Sequence, residues 1–400
     1  MAVEIEEEKG TTLLIEGKAS FESDKYVEVF GCKVKKLNIP EGKILPVYLL
    51  EDCKVKIDGR YIPIKGSTIP KSWENILKKD FNKIFIFGEI DSGKSSFATY
   101  LANKLDGTKW ILDLDIGQAD IAHPGAIGLG RTNGGIISLS DVGMIDGEFV
   151  GCISPMGKEI RCIRAVLKLY KRLISKYYKE GERIIVDSTG WVKGRQAKEY
   201  KLTKIEIIDP DLIVCFGDVP EYLLDFNVVS LESFVMKKRS REIRSLIRST
   251  MYSKWFENSK ERVFDLKNVK LCGTNLFKGR KIDYDTLNQI LETKIVFAEK
   301  GRDFVNIWVE DKPKINYELL KAIKSFYNVS DVCIFDLNDI NRTLVGLYSD
   351  TYLGPGLVLD LDPDEKIIKI LTSVEDEIKK IEFGEIKLDK SFRELIVRLP

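Results

Sequence analysis

The stretch Gly88-Glu-Ile-Asp-Ser-Gly-Lys-Ser95 has the spacing G-x-x-x-x-G-K-S and follows the apolar run Lys83–Phe87, KIFIF. Each fixed residue answers a need of phosphate chemistry. Gly88 and Gly93 let the backbone curl until successive N–H groups face phosphate oxygens, and the helix that begins there adds its positive dipole end. In this motif Lys94 reaches the β- and γ-phosphates and Ser95 a Mg²⁺ ion. Glu89, Ile90, Asp91 and Ser92 inside the loop, and Ser96 after it, complete the candidate nucleotide-binding residues. The β-branched strand before the motif and the helical spacing of Ser96–Leu105 after it are the setting it requires.

Phosphoryl transfer also needs carboxylates near the γ-phosphate, to hold the cation and to orient or deprotonate the nucleophile. Leu112–Gly125, LDLDIGQADIAHPG, supplies Asp113 and Asp115. Two residues apart on a predicted strand, they point to one side, toward the phosphate loop if the strands are neighbours. With Ser95 they form the candidate metal set. Gln118 is a candidate contact to nucleotide or acceptor. His123, the single histidine, reads as a turn residue beside Pro124, which leaves a Ser-His-Asp or two-histidine zinc mechanism little to stand on.

Two further stretches could bind a polyanion. Ser188-Thr-Gly-Trp191 ends the strand run RIIVD and is followed by Lys193 and Arg195. Trp191 could stack on a nucleobase while Ser188, Thr189 and backbone N–H groups around Gly190 hold a phosphate. Lys237–Phe256 then carries Arg241, Arg244 and Arg248 at helical i, i+3, i+7 spacing, with Ile243, Leu246 and Ile247 on another side. Arginines on one helix face can close over a triphosphate and stabilise the charge of the transition state.

The rest of the chain must position these residues. Its 400 residues exceed one ordinary domain, and 44% apolar with 31% charged residues describe a globular protein. No apolar run approaches the ~20 residues of a membrane span, and the acidic start MAVEIEEEKG lacks the pattern of a signal peptide. A cytoplasmic protein without membrane contact is expected. Seven scattered cysteines without a C-x-x-C pair predict reduced thiols. Net charge is +1, yet Lys158–Lys204 holds 14 Lys and Arg against 5 Asp and Glu, and Lys237–Arg262 holds 9 against 3. Such a basic middle suits a polyanionic substrate.

Alternating strands broken by Gly and Asp over residues 1–70 predict a small β-sandwich or barrel. Residues 71–285 alternate strands with helical segments, predicting an α/β domain with a parallel sheet, nucleotide at the strands' carboxyl ends, and a basic lid over about 236–262. Residues 286–400 read as a mostly β domain with one helix, YELLKAIKSFYN.

The order GEIDSGKSS, DLDIGQ…HPG, DSTGWVKG and RSREIRSLIRSTMYS resembles the polynucleotide 5′-hydroxyl kinases of the Clp1/Grc3 family in their archaeal form, and the resemblance extends to both terminal β segments. It implies a central P-loop NTPase domain between two β domains, and transfer of the γ-phosphate of ATP or another NTP, with Mg²⁺, to the 5′-hydroxyl of a single-stranded RNA or DNA end. Protein partners in RNA processing are implied with it. By motif position Lys94 and Ser95 match the Walker A residues, Asp115 the Walker B position proposed as general base, Trp191 the tryptophan that stacks on the terminal base, and Arg244 and Arg248 the lid arginines. Where the family carries an aromatic pair after the lid arginines, this chain has Met251-Tyr252-Ser253. Two alternatives stay open: a P-loop switch whose acceptor is water, and an ATP-binding scaffold of an RNA-processing complex that transfers nothing.

Overall fold

The computed structural model describes residues 2–234 and 239–396, so residues 236–238 of the expected lid lie outside the described residues. The runs KIFIF, WILD, RIIVD and LIVCF are almost uniformly buried, as strands covered on both faces must be. They form the middle of a seven-stranded sheet in the order Val228–Leu231, Leu212–Phe216, Lys83–Phe87, Arg183–Asp187, Lys109–Asp113, Ala126–Thr132, Met144–Phe149. The first five strands are mutually parallel. The last two pair antiparallel, and extend the expected parallel core at one edge. No α-helix lies between Asp113 and Met144, and without a helical crossover the chain folds back on itself instead of re-entering in parallel.

The chain divides into two compact units, Met1–Val150 with Ser154–Arg248, and Gly151–Ile153 with Ser249–Pro400. In the first, the N-terminal strands form a five-stranded sheet built around the long strand Thr11–Val29, which pairs with three others. Leu13, Ile15 and Val47 from this sheet share one hydrophobic core with Ile84, Phe97 and Val214 of the central domain. The sheet of residues 1–70 and the central sheet thus lie in one unit around one core. Lys260–Asp265 and Lys270–Cys272 pair with Ile367–Thr372 and Lys380–Leu388.

The second unit holds a seven-stranded and a four-stranded sheet. The expected helix there spans Tyr317–Tyr327, started by the Asn316 side chain accepting from Leu319 N–H and ended by Asn328 in the left-handed region. Among the described residues no helix is long and apolar enough to cross a membrane.

Candidate active site

The phosphate loop joins Lys83–Phe87 to the helix Lys94–Lys104 at the carboxyl edge of the parallel strands. Gly93 takes φ +98°, open to glycine. At Gly88 a Cβ would lie 2.6 Å from Ser92 Oγ and 2.9 Å from Phe216 Cβ, so only glycine fits. The helix starts without a side-chain cap, leaving its first N–H groups for an anion. Lys94 is 7% exposed, and its ammonium donates to the Glu89 carbonyl at 2.6 Å.

The two aspartates of DLD part company. The strand ends at Asp113, so the alternation that was to align them does not continue. Asp113 accepts from the N–H groups of Asp115 (3.1 Å), Asp120 (2.7 Å) and Ile121 (3.1 Å). Burial, with Asp187 and Asp120 nearby, holds its carboxyl well above the usual range. Through these three bonds it pins the turn that follows the strand. Replacing Asp113 with Asn puts an NH₂ against at least one of these donors. Chemical denaturation should show a loss of about 1–3 kcal/mol, with far less effect on kcat than a change at Asp115. Asp115 accepts from Gly117 N–H (3.0 Å) and Gln118 N–H (3.1 Å) through Oδ1. Gln118 donates to the Gly117 carbonyl. Both line a cavity with the loop.

The carboxylate beside the loop is Asp187, which sequence reasoning passed over. Arg183–Asp187 is the immediate neighbour of the loop strand, whereas Lys109–Asp113 lies one strand further away. Ser95 Oγ donates to Asp187 Oδ2 at 2.6 Å. Burial pushes the Asp187 carboxyl up to about 6, against the opposing pull of Lys94 and Ser95. The signal was an aspartate closing a β-branched run, overshadowed by the STGW after it.

Beyond Asp187 the chain presses on the loop. A Cβ at Gly190 would meet Ile90 N and Cα at 2.6 Å. Trp191 is half-buried, 5.8 Å from the Tyr200 ring. Ser188 is fully buried and donates to the Ile86 carbonyl, which braces the turn. Lys201 donates to Ser188 Oγ and to the Thr189 carbonyl, and burial beside Lys204 pushes its ammonium well below the lysine range. Lys193 pairs with Glu89 of the loop at 2.8 Å on the surface. Arg195 is exposed and begins the helix Arg195–Ile208.

The expected arginine helix spans Arg241–Trp255. Ile243 and Ile247 pack on Gly42 of the N-terminal sheet region, where a Cβ would come within 2.9 Å of Ile247. Arg244 turns to the phosphate loop and contacts Asp91 at 3.4 Å. Arg241 is exposed, and Arg248 is half-buried one turn after Arg244. The cavity of about 930 Å³ is lined by Ile90–Ser96, Asp115, Gln118 and Arg239, and on its other side by Leu14, Ile44, Tyr61, Ile62 and Ile69. The N-terminal sheet is thus part of the site, which no motif in the sequence announced.

Three buried polar atoms at the loop lack a hydrogen-bond partner: Ser92 Oγ, Asp187 Oδ1 and Thr189 Oγ1. Such atoms cost about 1–3 kcal/mol each, and a polyphosphate with its cation supplies the partners they need. No group of three or more His, Cys, Asp or Glu residues suited to a metal occurs among the described residues.

A phosphate loop at the carboxyl edge of parallel strands, flanked by a strand-end carboxylate, defines a P-loop nucleoside-triphosphate-binding protein. The family described as the mRNA cleavage and polyadenylation factor CLP1 P-loop matches residues 88–258. The polyribonucleotide 5′-hydroxyl-kinase of Pyrococcus furiosus is 30% identical over 332 residues, 78% of this chain and 90% of that protein. The corresponding protein of Methanocaldococcus jannaschii is 29% identical over 333 residues, 78% and 89% of the two chains. The solved structure of wild-type Clp1p with a Pcf11p fragment shares the fold, with a TM-score of 0.64 over 97% of this chain and 98% of that one at 12% identity. The chain belongs to the Clp1/Grc3 family of polynucleotide 5′-hydroxyl kinases.

Proposed function

We infer that the protein transfers the γ-phosphate of ATP to the 5′-hydroxyl of an RNA end. The observation that carries this reading is the contact of Gly190 with Ile90. It joins the segment bearing Trp191 to the loop that grips phosphate, so acceptor end and donor share one edge of the sheet. Relatives named as polyribonucleotide 5′-hydroxyl-kinases support the same acceptor.

In this mechanism the loop N–H groups and Lys94 hold the β- and γ-phosphates, and the apolar wall of Leu14, Ile44 and Tyr61 takes the nucleoside. Ser95 and Asp187 would hold Mg²⁺, which would supply positive charge against the phosphate oxygens. Asp115 aligns the 5′-hydroxyl in line with the leaving oxygen and takes its proton. Arg244 stabilises the charge that spreads over the transferred group. Trp191, braced by Tyr200, stacks on the terminal base, and Lys193 and Arg195 attract the backbone.

The test incubates the protein with Mg²⁺, γ-labelled ATP and short RNA and DNA oligomers bearing free 5′-hydroxyls. Label should appear on the oligomer and be lost with Lys94→Ala and Asp115→Asn. Label released only as inorganic phosphate would indicate a switch whose acceptor is water, and label retained on ATP a scaffold. Oligomer binding should also weaken steeply with salt, log K falling by about 0.7 per phosphate contact per decade. An unchanged affinity between low and high salt would remove the basic middle of the chain from the substrate path.

A further inference from the structure

Two of the four variable positions of the phosphate loop are acids: Glu89, which pairs with Lys193 at the surface, and Asp91, where a carboxylate would repel the polyphosphate the loop exists to hold. The Asp91 backbone lies at φ +57°, a left-handed conformation that Asp accepts more readily than most residues. Its side chain is only 9% exposed and accepts from the Arg239 N–H at 3.0 Å. Arg239 Nη1 lies 3.5 Å from Asp91 Oδ1 and Arg244 Nη1 3.4 Å from Oδ2. Arg244 Nη1 also donates to the Arg239 carbonyl at 2.7 Å, which ties the two arginines together. The contacts of Arg244 with Asp91 and with the Arg239 carbonyl both use Nη1, and a guanidinium carries five N–H donors in a flat fork.

We propose that Asp91 is a positioning residue that holds Arg239 and Arg244 at the phosphate loop before nucleotide arrives, so that Arg244 presents the remaining edge of its fork to the γ-phosphate. Asp91 fixes the lid helix to the loop through charge, as Gly42 fixes its other side through the packing of Ile243 and Ile247. The arginines in turn cancel the repulsion that Asp91 would exert on the triphosphate. Of the helix Arg241–Trp255, Arg244 is the arginine that Asp91 draws to the loop, one turn into the helix and bonded to the Arg239 carbonyl. What Arg244 meets rests on the kinase reading above; its placement by Asp91 does not.

The test uses Asp91→Ala and the isosteric Asp91→Asn in the full chain. Without nucleotide, amide hydrogen exchange over residues 241–248 should speed up by about 10-fold in Asp91→Ala, with exchange in the central strands unchanged. In transfer assays kcat should fall by about 10-fold in Asp91→Ala while the dissociation constant of ATP changes by less than about 3-fold. Adding Arg244→Ala to Asp91→Ala should cost much less than Arg244→Ala costs the native chain, the mark of two residues acting as one unit. Unchanged exchange over 241–248 in both variants, or fully additive losses, overturns the proposal. If the native chain transfers no phosphate, the kinase reading fails and the exchange result alone decides the role of Asp91.

Discussion

Asp187→Asn should make the nucleotide-free protein more stable and nearly abolish transfer. The carboxyl titrates at about 6, against an ordinary value of 3.8, so the folded chain binds this proton more tightly than the unfolded chain does. Above pH 6 the ionised, buried carboxylate therefore costs roughly 2–3 kcal/mol, a cost that disappears as pH falls through 6 toward 4. Asn is neutral at every pH and still offers an oxygen to the Ser95 hydroxyl. The variant should melt several degrees higher than the native chain at pH 8, with the gap closing near pH 5. Transfer should fall by about 10²–10³-fold, since the group lost is the one that holds the Ser95 hydroxyl and, in the proposed mechanism, the cation. Equal melting temperatures at pH 8 would show that burial of Asp187 costs nothing. Near-native transfer would remove it from the site. Stability surrendered at a catalytic group is a familiar trade.

Gly190→Ala should cut kcat/KM by about 10²-fold through misplacement alone. A Cβ there would stand 2.6 Å from two backbone atoms of Ile90, and backbone cannot yield as the tip of a side chain does. Either the phosphate loop or the segment bearing Trp191 must shift, so affinity for nucleotide and for oligomer should weaken together. Gly143→Ala is the control, because a Cβ at Gly143 meets nothing within 4 Å. If Gly190→Ala weakened only one of the two ligands, donor and acceptor sites would be independent, and the observation that carries the functional reading would lose its force.

Much of this was readable from residues in a row. A loop that binds phosphate through consecutive N–H groups is a local object, so Gly88, Gly93, Lys94 and Ser95 announced it by spacing. Strands buried on both faces write themselves as unbroken apolar runs, and the helices Arg241–Trp255 and Tyr317–Tyr327 wrote themselves as periodicity. Which carboxylate stands beside the loop was a different kind of question. Asp113 and Asp187 are chemically identical and both close a strand, but strand order places one next to the loop and turns the other into an anchor for backbone N–H groups. Strand order depends on pairing between segments far apart in the chain, such as Ile184 with Lys83, and no local pattern encodes it. The same holds for the N-terminal sheet that walls the cavity and for the reach of Arg244 to Asp91 across 153 residues. The sequence by itself determined that phosphate is bound and which residue types are present to act on it. Only the tertiary structure decided which of them meet, because charge and hydrogen bonding act over a few ångströms of space, whatever the distance along the chain.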